Sequence, residues 1–206
     1  MKGLIYVLIL MVFFISLPDN SEGILNVQLR AEFAEEGSGP GQLRSPQHIA
    51  IDSDGTLYIA DRGNKRIHVM SPDGKTLRTF GDKKTDRGYL EEPIGIALRE
   101  NLVYVSDAGR DMIVIFTKEG KFVDEFGGPG SEPKRFDDPS GIAIARGILY
   151  VADRGNHRIQ YFSTDGIYLG STGERGEKEG QFREPVDVAV DYRGYIYVCL
   201  LYTSPS

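Results

Sequence analysis

Three aspartates, Asp61, Asp107 and Asp153, stand 46 residues apart, and each ends a tyrosine-bearing apolar run. A glycine follows two residues later in each case: Gly63, Gly109 and Gly155. A carboxylate placed there can do one of two things. It can transfer protons, or it can accept backbone amides of the turn and pair with a nearby arginine such as Arg66 or Arg158. Recurrence separates the two, because a catalytic group needs to occur once. Asp61, Asp107 and Asp153, with Gly63 and Gly155, are therefore expected to be structural turn residues, and no catalytic residue is assigned. Asn64 and Asn156, in the same turns, are expected to take left-handed geometry.

Other groups capable of chemistry are sparse. The histidines are His48, His68 and His157, so a catalytic or metal site needing several imidazoles would have to use nearly all of them. The run Asp52-Ser53-Asp54-Gly55 superficially resembles a calcium loop. It lacks a glutamate at the twelfth position and flanking helices, so a hairpin is expected. No metal ligand set is assigned. Cys199 stands alone, which rules out an internal disulfide, and it is expected to be a strand residue rather than a reactive thiol. No glycine-rich phosphate loop, nucleophile elbow or paired-carboxylate motif is evident.

The elements that must position these groups repeat with the same period. Pro46, Pro93, Pro139 and Pro185 each precede a short apolar run, at intervals of 47, 46 and 46, and Gly81, Gly127 and Gly173 close successive units. One unit reads as four strands, Gln47–Asp52, Thr56–Asp61, Arg66–Met70 and Lys75–Phe80, joined by short turns at Ser53–Gly55, Arg62–Lys65 and Ser71–Gly74. The second strands (LYIA, LVYVS, ILYVA, YIYVC) are apolar on both faces, as strands covered on both sides are; the fourth (KTLRTF, KFVDEF) mix charge with apolar residues, as an outer edge does. Such sheets stack around an axis. The fold class is all-β: a β-propeller of four-stranded antiparallel blades, with about three and a half blades present and the ring incomplete.

Strand alternation puts the second-to-third turns and the connections between blades on one rim. That rim carries Arg62, Asn64, Lys65, Arg110, Asp111, Arg154, Asn156 and His157, the candidate binding residues, because loop-rich rims concentrate recognition. Lys134 and Arg135 could extend it, and Glu91, Glu92, Asp137 and Asp138 interrupt its positive charge.

The units SPQHIAIDSDGTLYIADRGNKRIHVM and DPSGIAIARGILYVADRGNHRIQYF resemble the NHL repeat. The middle unit departs from it: Gly109-Arg110 stands where Gly-Asn occurs, and Met112 replaces the arginine. The resemblance spans 37–198 and implies a propeller, usually of six blades, that serves mostly as an interaction surface for protein or RNA. A secreted minority of such proteins are enzymes, including peptidylglycine amidating lyases, which place a zinc-binding histidine directly after the equivalent proline. Here Gln47 occupies that position and His48 follows it, on the other face of a strand.

The organisation expected is a signal peptide or signal anchor at 1–23, an outer strand of a preceding or closing blade at 24–36, NHL repeats at 37–81, 82–127 and 128–173, a partial repeat at 174–199, and a non-native tail at 200–206. The apolar stretch Leu4–Leu17 is 14 residues, about 21 Å as a helix, short of a ~30 Å hydrocarbon core. A basic start before such a run reads as an export signal cleaved before Ile24. Retained, it would anchor the chain in a membrane. LYTSPS at the C-terminus matches nothing in the repeat and three and a half units do not close a ring, so a truncated product is expected, the alternative being an open array that closes by oligomerising.

Formal net charge is −6, which disfavours a general grip on nucleic acid or on an anionic membrane. The expected function is a secreted, non-catalytic binding scaffold for a protein or other extracellular ligand, with no cofactor. The alternatives are a secreted metal-dependent propeller enzyme of the amidating lyase or lactonase kind, which would need zinc or calcium, and an RNA-binding domain.

Overall fold

The computed structural model describes residues 10–15, 27–83 and 87–200, with side chains from residue 34 onward. Three complete four-stranded antiparallel sheets follow one another along the chain. The first joins β5 (Ile49–Ile51), β6 (Leu57–Asp61), β7 (Arg66–Met70) and β8 (Thr76–Phe80). The second joins β9 (Pro93–Arg99), β10 (Leu102–Asp107), β11 (Met112–Thr117) and β12 (Phe122–Gly127). The third joins β13 (Pro139–Ala145), β14 (Ile148–Asp153), β15 (Arg158–Ser163) and β16 (Tyr168–Thr172), and β17 (Pro185–Val190) with β18 (Ile196–Leu200) forms a two-stranded fourth. Strand order equals chain order within each sheet, so these are propeller blades. The first strands β9, β13 and β17 pack successively against one another at the axis, and the ring is not closed.

Upstream, β1 (Leu10–Ile15) pairs antiparallel with β2 (Val27–Phe33), and β3 (Glu35–Glu36) pairs in parallel with β4 (Gln42–Leu43). The rest of the segment expected as a leader lies outside the described residues, as does the tail from 201. Leu200, counted with that tail, sits in β18 opposite Pro185. The first strand of blade 1 is shorter than its sequence suggests, Ile49–Ile51 rather than Gln47–Asp52: Gln47 and His48 both bond to Ala60 of β6, an irregular pairing outside the regular ladder.

The core lies between blades, as the period-2 pattern dictates. Val103, Val105, Val114 and Phe116 of blade 2 face Tyr58, Ala60, Ile67, Val69 and Phe80 of blade 1. Their alternates Tyr104, Ile113 and Ile115 face Leu149, Val151 and Phe162 of blade 3. Blade 2 is thus covered on both faces, and blade 1 packs its other face on Leu43, which is why β6 is buried at every position. The closing glycines seat the next connection. Gly127 (φ 115°) lies under the Phe136 ring, and a Cβ there would come within 2.7 Å of it; Gly173 and Phe182 repeat the arrangement.

Candidate functional site at the axial mouth

The turns between second and third strands are built around the recurring aspartates. Fully buried Asp61 accepts from the Arg44 amide (2.7 Å), Asn64 Nδ2 (2.8 Å) and Arg66 Nε (2.8 Å). Asp153 accepts from the Asp137 amide (2.9 Å), Asn156 Nδ2 (3.0 Å), Arg158 Nε (2.7 Å) and Gln160 Nε2 (2.9 Å). Asp107 has neither asparagine nor arginine and accepts three backbone amides instead, from Glu91 (2.8 Å), Glu92 (2.7 Å) and Gly109 (3.1 Å). Burial pushes the carboxyls of Asp107 and Asp153 above the usual range, and the amides and Arg158 pull against it.

The glycines of these turns let the incoming connection touch the turn. A Cβ on Gly63 would lie 2.7 Å from the Arg44 carbonyl oxygen, and the Gly63 amide donates to that same oxygen at 2.8 Å. The Gly155 amide likewise donates to the Asp137 carbonyl at 2.8 Å, but a Cβ on Gly155 would meet the Asp137 side chain.

The left-handed residue is not the asparagine. Positive φ falls one position later, on Lys65 (56°), Asp111 (53°) and His157 (57°). The first turn is a 3-10 turn over Arg62–Asn64, and the asparagine amide is spent inside it: Asn64 Nδ2 bridges Asp61 and the Gly37 carbonyl, as Asn156 Nδ2 bridges Asp153 and the Gly130 carbonyl. The residue after it reaches across to the next blade. Asp111 accepts from the Asp138 amide (2.8 Å), and His157 Nδ1 accepts from the Glu184 amide (3.1 Å). Lys65 has no acceptor to offer, and the corresponding Glu92 amide turns to Asp107 instead. Burial, with Asp137, Asp138 and Asp153 nearby, raises the Asp111 carboxyl above the usual range.

The three arginines grouped on the rim by sequence do not share a role. Arg62 and Arg154 directly follow their aspartates, and the equivalent position in blade 2 is Ala108. Arg62 pairs with Glu92 at 2.7 Å; Arg154 bridges Asp138 (2.9 Å) and Glu184 (3.3 Å). Arg110 stands at the asparagine position instead. Its guanidinium donates to the Tyr89 carbonyl (2.8 Å) and Glu125 (2.9 Å), lies 4.3 Å from the Tyr89 ring centre, and is 12% exposed. It braces its own blade and is withdrawn from the mouth.

What the rim encloses is a cavity of about 310 Å³ at the axis. Arg62, Glu92, Asp138 and Arg154 form its upper wall. Its floor is made by the two residues after each axial proline: Gln47-His48, Ile94-Gly95, Ser140-Gly141 and Val186-Asp187. In the first three pairs the second member, His48, Gly95 or Gly141, lies against the next blade, and the Asp187 carboxylate lies back against Gly141. His48 Nδ1 lies 3.1 Å from the Ile96 carbonyl and 3.2 Å from its amide nitrogen, and serves one of them according to its tautomer. A Cβ on Gly95 would lie 2.5 Å from the Ser140 carbonyl oxygen, and one on Gly141 would strike the Asp187 carboxylate. Two glycines thus keep the floor open where a side chain would fill it. The pairs at 47-48, 94-95, 140-141 and 186-187 share the proline period, a signal that was available in the sequence and pointed to the axis rather than to the turns.

Elsewhere the Asp52–Gly55 run is a hairpin. The Asp52 amide donates to the Thr56 carbonyl at 2.9 Å, and its carboxylate pairs with Lys118 at 2.6 Å on the far rim. Arg135 donates to the Gly127 carbonyl, and the Lys134 amide donates to Gln160, so the stretch they share serves the connection. Among the described residues no three His, Cys, Asp or Glu side chains converge as a metal ligand set, and no helix is long and apolar enough to cross a membrane.

Comparison with known proteins agrees with this architecture. The NHL repeat family model matches residues 43–70 and 136–162. The human NHL repeat-containing protein 3 is 40% identical over 55 residues, 26% of this chain and 16% of that protein. The RING finger protein nhl-1 of Caenorhabditis elegans is 36% identical over 68 residues, 33% of this chain and 7% of that protein. The chain thus spans a small fraction of the curated relatives it matches. Among solved structures, virginiamycin B lyase from Staphylococcus aureus superposes with a TM-score of 0.57 at 20% identity, covering 75% of this chain and 48% of that one. Myxococcus xanthus glutaminyl cyclase gives 0.53 at 15%, covering 77% and 68%. At these identities the likeness is one of fold.

Proposed function

We propose that this chain, which matches the NHL repeat in two segments and folds as β-propeller blades, is a non-catalytic binding scaffold that presents its axial mouth and surrounding turns to an extracellular protein ligand. The observation that carries this reading is the way the rim is preset. Arg62 with Glu92, Arg154 with Asp138 and Glu184, and His157 with the Glu184 amide are held against one another across blade boundaries. A polar surface fixed in advance suits recognition, since little side-chain entropy is left to lose on binding. The recurring aspartates are buried in backbone bonding and out of reach of a substrate. Export through the segment 1–23 would deliver this surface outside the cell, and no cofactor is required.

The test is a protein ligand recovered from the extracellular medium and its affinity for three forms of the protein. Loss of about tenfold or more is expected for Arg62→Ala with Arg154→Ala, removal of two interface charges. No change is expected for Lys75→Ala, in a third-to-fourth-strand turn on the opposite rim. The reverse ranking overturns the assignment of the mouth.

One observation favours a second reading, a metal-dependent secreted enzyme: His48 and Asp187 line the same cavity. Two structural relatives carry the names of a lyase and a cyclase. Stoichiometric zinc or calcium in protein purified from its natural source would favour this reading over the scaffold. The alternation of arginines and carboxylates on the rim gives nucleic acid no continuous basic track, so RNA is not proposed as a partner.

A further inference from the structure

Among the described residues, the cavity at the axis carries one carboxylate without a cation. Glu92 is met by Arg62, and Asp138 and Glu184 by Arg154. Asp187 accepts only its neighbour's amide, from Val188 at 2.9 Å, and among the described residues no arginine, lysine or histidine pairs with it. Lining the cavity, two guanidinium groups, Arg62 and Arg154, stand against three carboxylates, Glu92, Asp138 and Asp187. Both arginines are already neutralised, so the surplus is negative and centred on Asp187. Beside it, Ile94 and Val186 offer apolar surface, and Gly95 and Gly141 leave the floor free of side chains.

Resting on the reading of the mouth as the partner site, we propose that it takes a cationic side chain, a lysine or arginine of an extended polypeptide, seated against Asp187. The geometry suits such a group in three ways. A volume of about 310 Å³ is at the small end of ligand pockets, which run from ~300 to 1,000 Å³, and admits one long side chain rather than a folded element. Lysine and arginine lay an aliphatic stem on apolar surface while the charged head reaches a polar partner, and Ile94 and Val186 supply that surface. The uncompensated carboxylate is worth most to a cation in a partly enclosed site, where water screens it less. An acidic side chain would meet the surplus negative charge and would have to displace Glu92 or Asp138 to reach an arginine.

The experiment uses the full chain and two small probes, N-acetyl-arginine amide and N-acetyl-glutamate amide, titrated while the backbone amide resonances of Gly95, Gly141 and Val188 are followed by NMR. Saturable shifts are expected from the arginine probe. They should weaken about fivefold in Asp187→Asn, the worth of one ion pair, survive in Asp187→Glu, and diminish with added salt. Spectra of the variants away from the mouth show whether the fold is kept. Arginine binding that is indifferent to Asp187→Asn overturns the proposal. Stronger shifts at the same amides from the glutamate probe also overturn it, and leave the mouth standing as the partner site. Shifts from neither probe overturn the proposal together with the reading on which it rests.

Discussion

Arg62 Nη2 lies 2.7 Å from Glu92 Oε2, which ties the turn of the first blade to the connection entering the second. Thirty residues separate the two, and the same separation joins Arg154 to Glu184 between the third blade and the fourth. The middle junction lacks the pair, because Ala108 stands where the arginine would be. Asp138 is left without its partner from the preceding blade and turns to Arg154, which therefore serves two carboxylates. One alanine makes the mouth asymmetric.

Exposed ion pairs of this kind contribute roughly 0–1 kcal/mol to stability. Arg62→Ala is accordingly expected to leave the denaturation midpoint nearly unchanged while it weakens partner binding. Urea unfolding and a binding isotherm on the same preparation separate the two effects.

Arg110→Ala should behave in the opposite way. The side chain is almost covered, donates to the Tyr89 carbonyl and Glu125, and stacks on the Tyr89 ring. Its removal is expected to cost about 1–3 kcal/mol of stability with no loss of binding at the mouth. A binding defect in a variant of normal stability would return Arg110 to the interface.

Asp153→Ala would strand a guanidinium, two amide side chains and a backbone amide in a buried place. A loss of about 3–5 kcal/mol is expected, the range for a broken buried pair. Asp107→Asn should cost less, about 1–2 kcal/mol, since no arginine is stranded and one oxygen can still accept from Glu92 and Gly109. Chemical denaturation of both variants gives the ranking.

His68 is fully buried, with Nε2 2.8 Å from Thr76 Oγ1 and Nδ1 3.4 Å from Arg66 Nη2. Burial first, and then the Arg66 charge, hold its imidazole below the usual histidine range, while Asp61 pulls the other way. The folded state therefore resists the proton that the unfolded chain accepts near pH 6.5. The His68 contribution is fully present above that pH and is lost as pH falls toward the depressed folded value. His68→Gln copies the residue found at Gln160 in the third blade, and should flatten the stability profile below about pH 6.5. An unchanged slope would refute the assignment.

Gly63→Ala would press a methyl group to within 2.7 Å of the Arg44 carbonyl oxygen, a backbone atom that moves only with the connection. Gly155→Ala meets the Asp137 side chain, which can swing away. Both should destabilise, by about 1–3 kcal/mol, and the first by more. Thermal unfolding of the pair tests the order.

The repeat was legible in the residues themselves. Recurrence at 46 or 47 residues, apolar second strands and glycine-closed turns give blades, because each blade repeats the same local solution of four short strands and buries its faces only by stacking on the next. The candidate site was legible in part. Arg62 and Arg154 were visible as rim residues, but so was Arg110, and only its place at the asparagine position of the turn, two residues after the one that Arg62 and Arg154 occupy, separates it from them. Glu92 and Asp138 read as interruptions of a basic rim; they are the partners of its arginines. The axial floor was the least legible part, since His48, Gly95, Gly141 and Asp187 differ in chemistry and share only their distance from a proline.

Sequence alone therefore determined which segments become blades, where each turn falls and which rim faces the connections, because these follow from local periodicity and turn chemistry. Tertiary structure decided which charges meet and which one is left over. Ion pairs that cross from blade to blade depend on how one sheet is rotated against the next, and no spacing within a single chain segment encodes that rotation. Among the described residues the carboxylate of Asp187 is left without a cation, at the place where four axial strands converge.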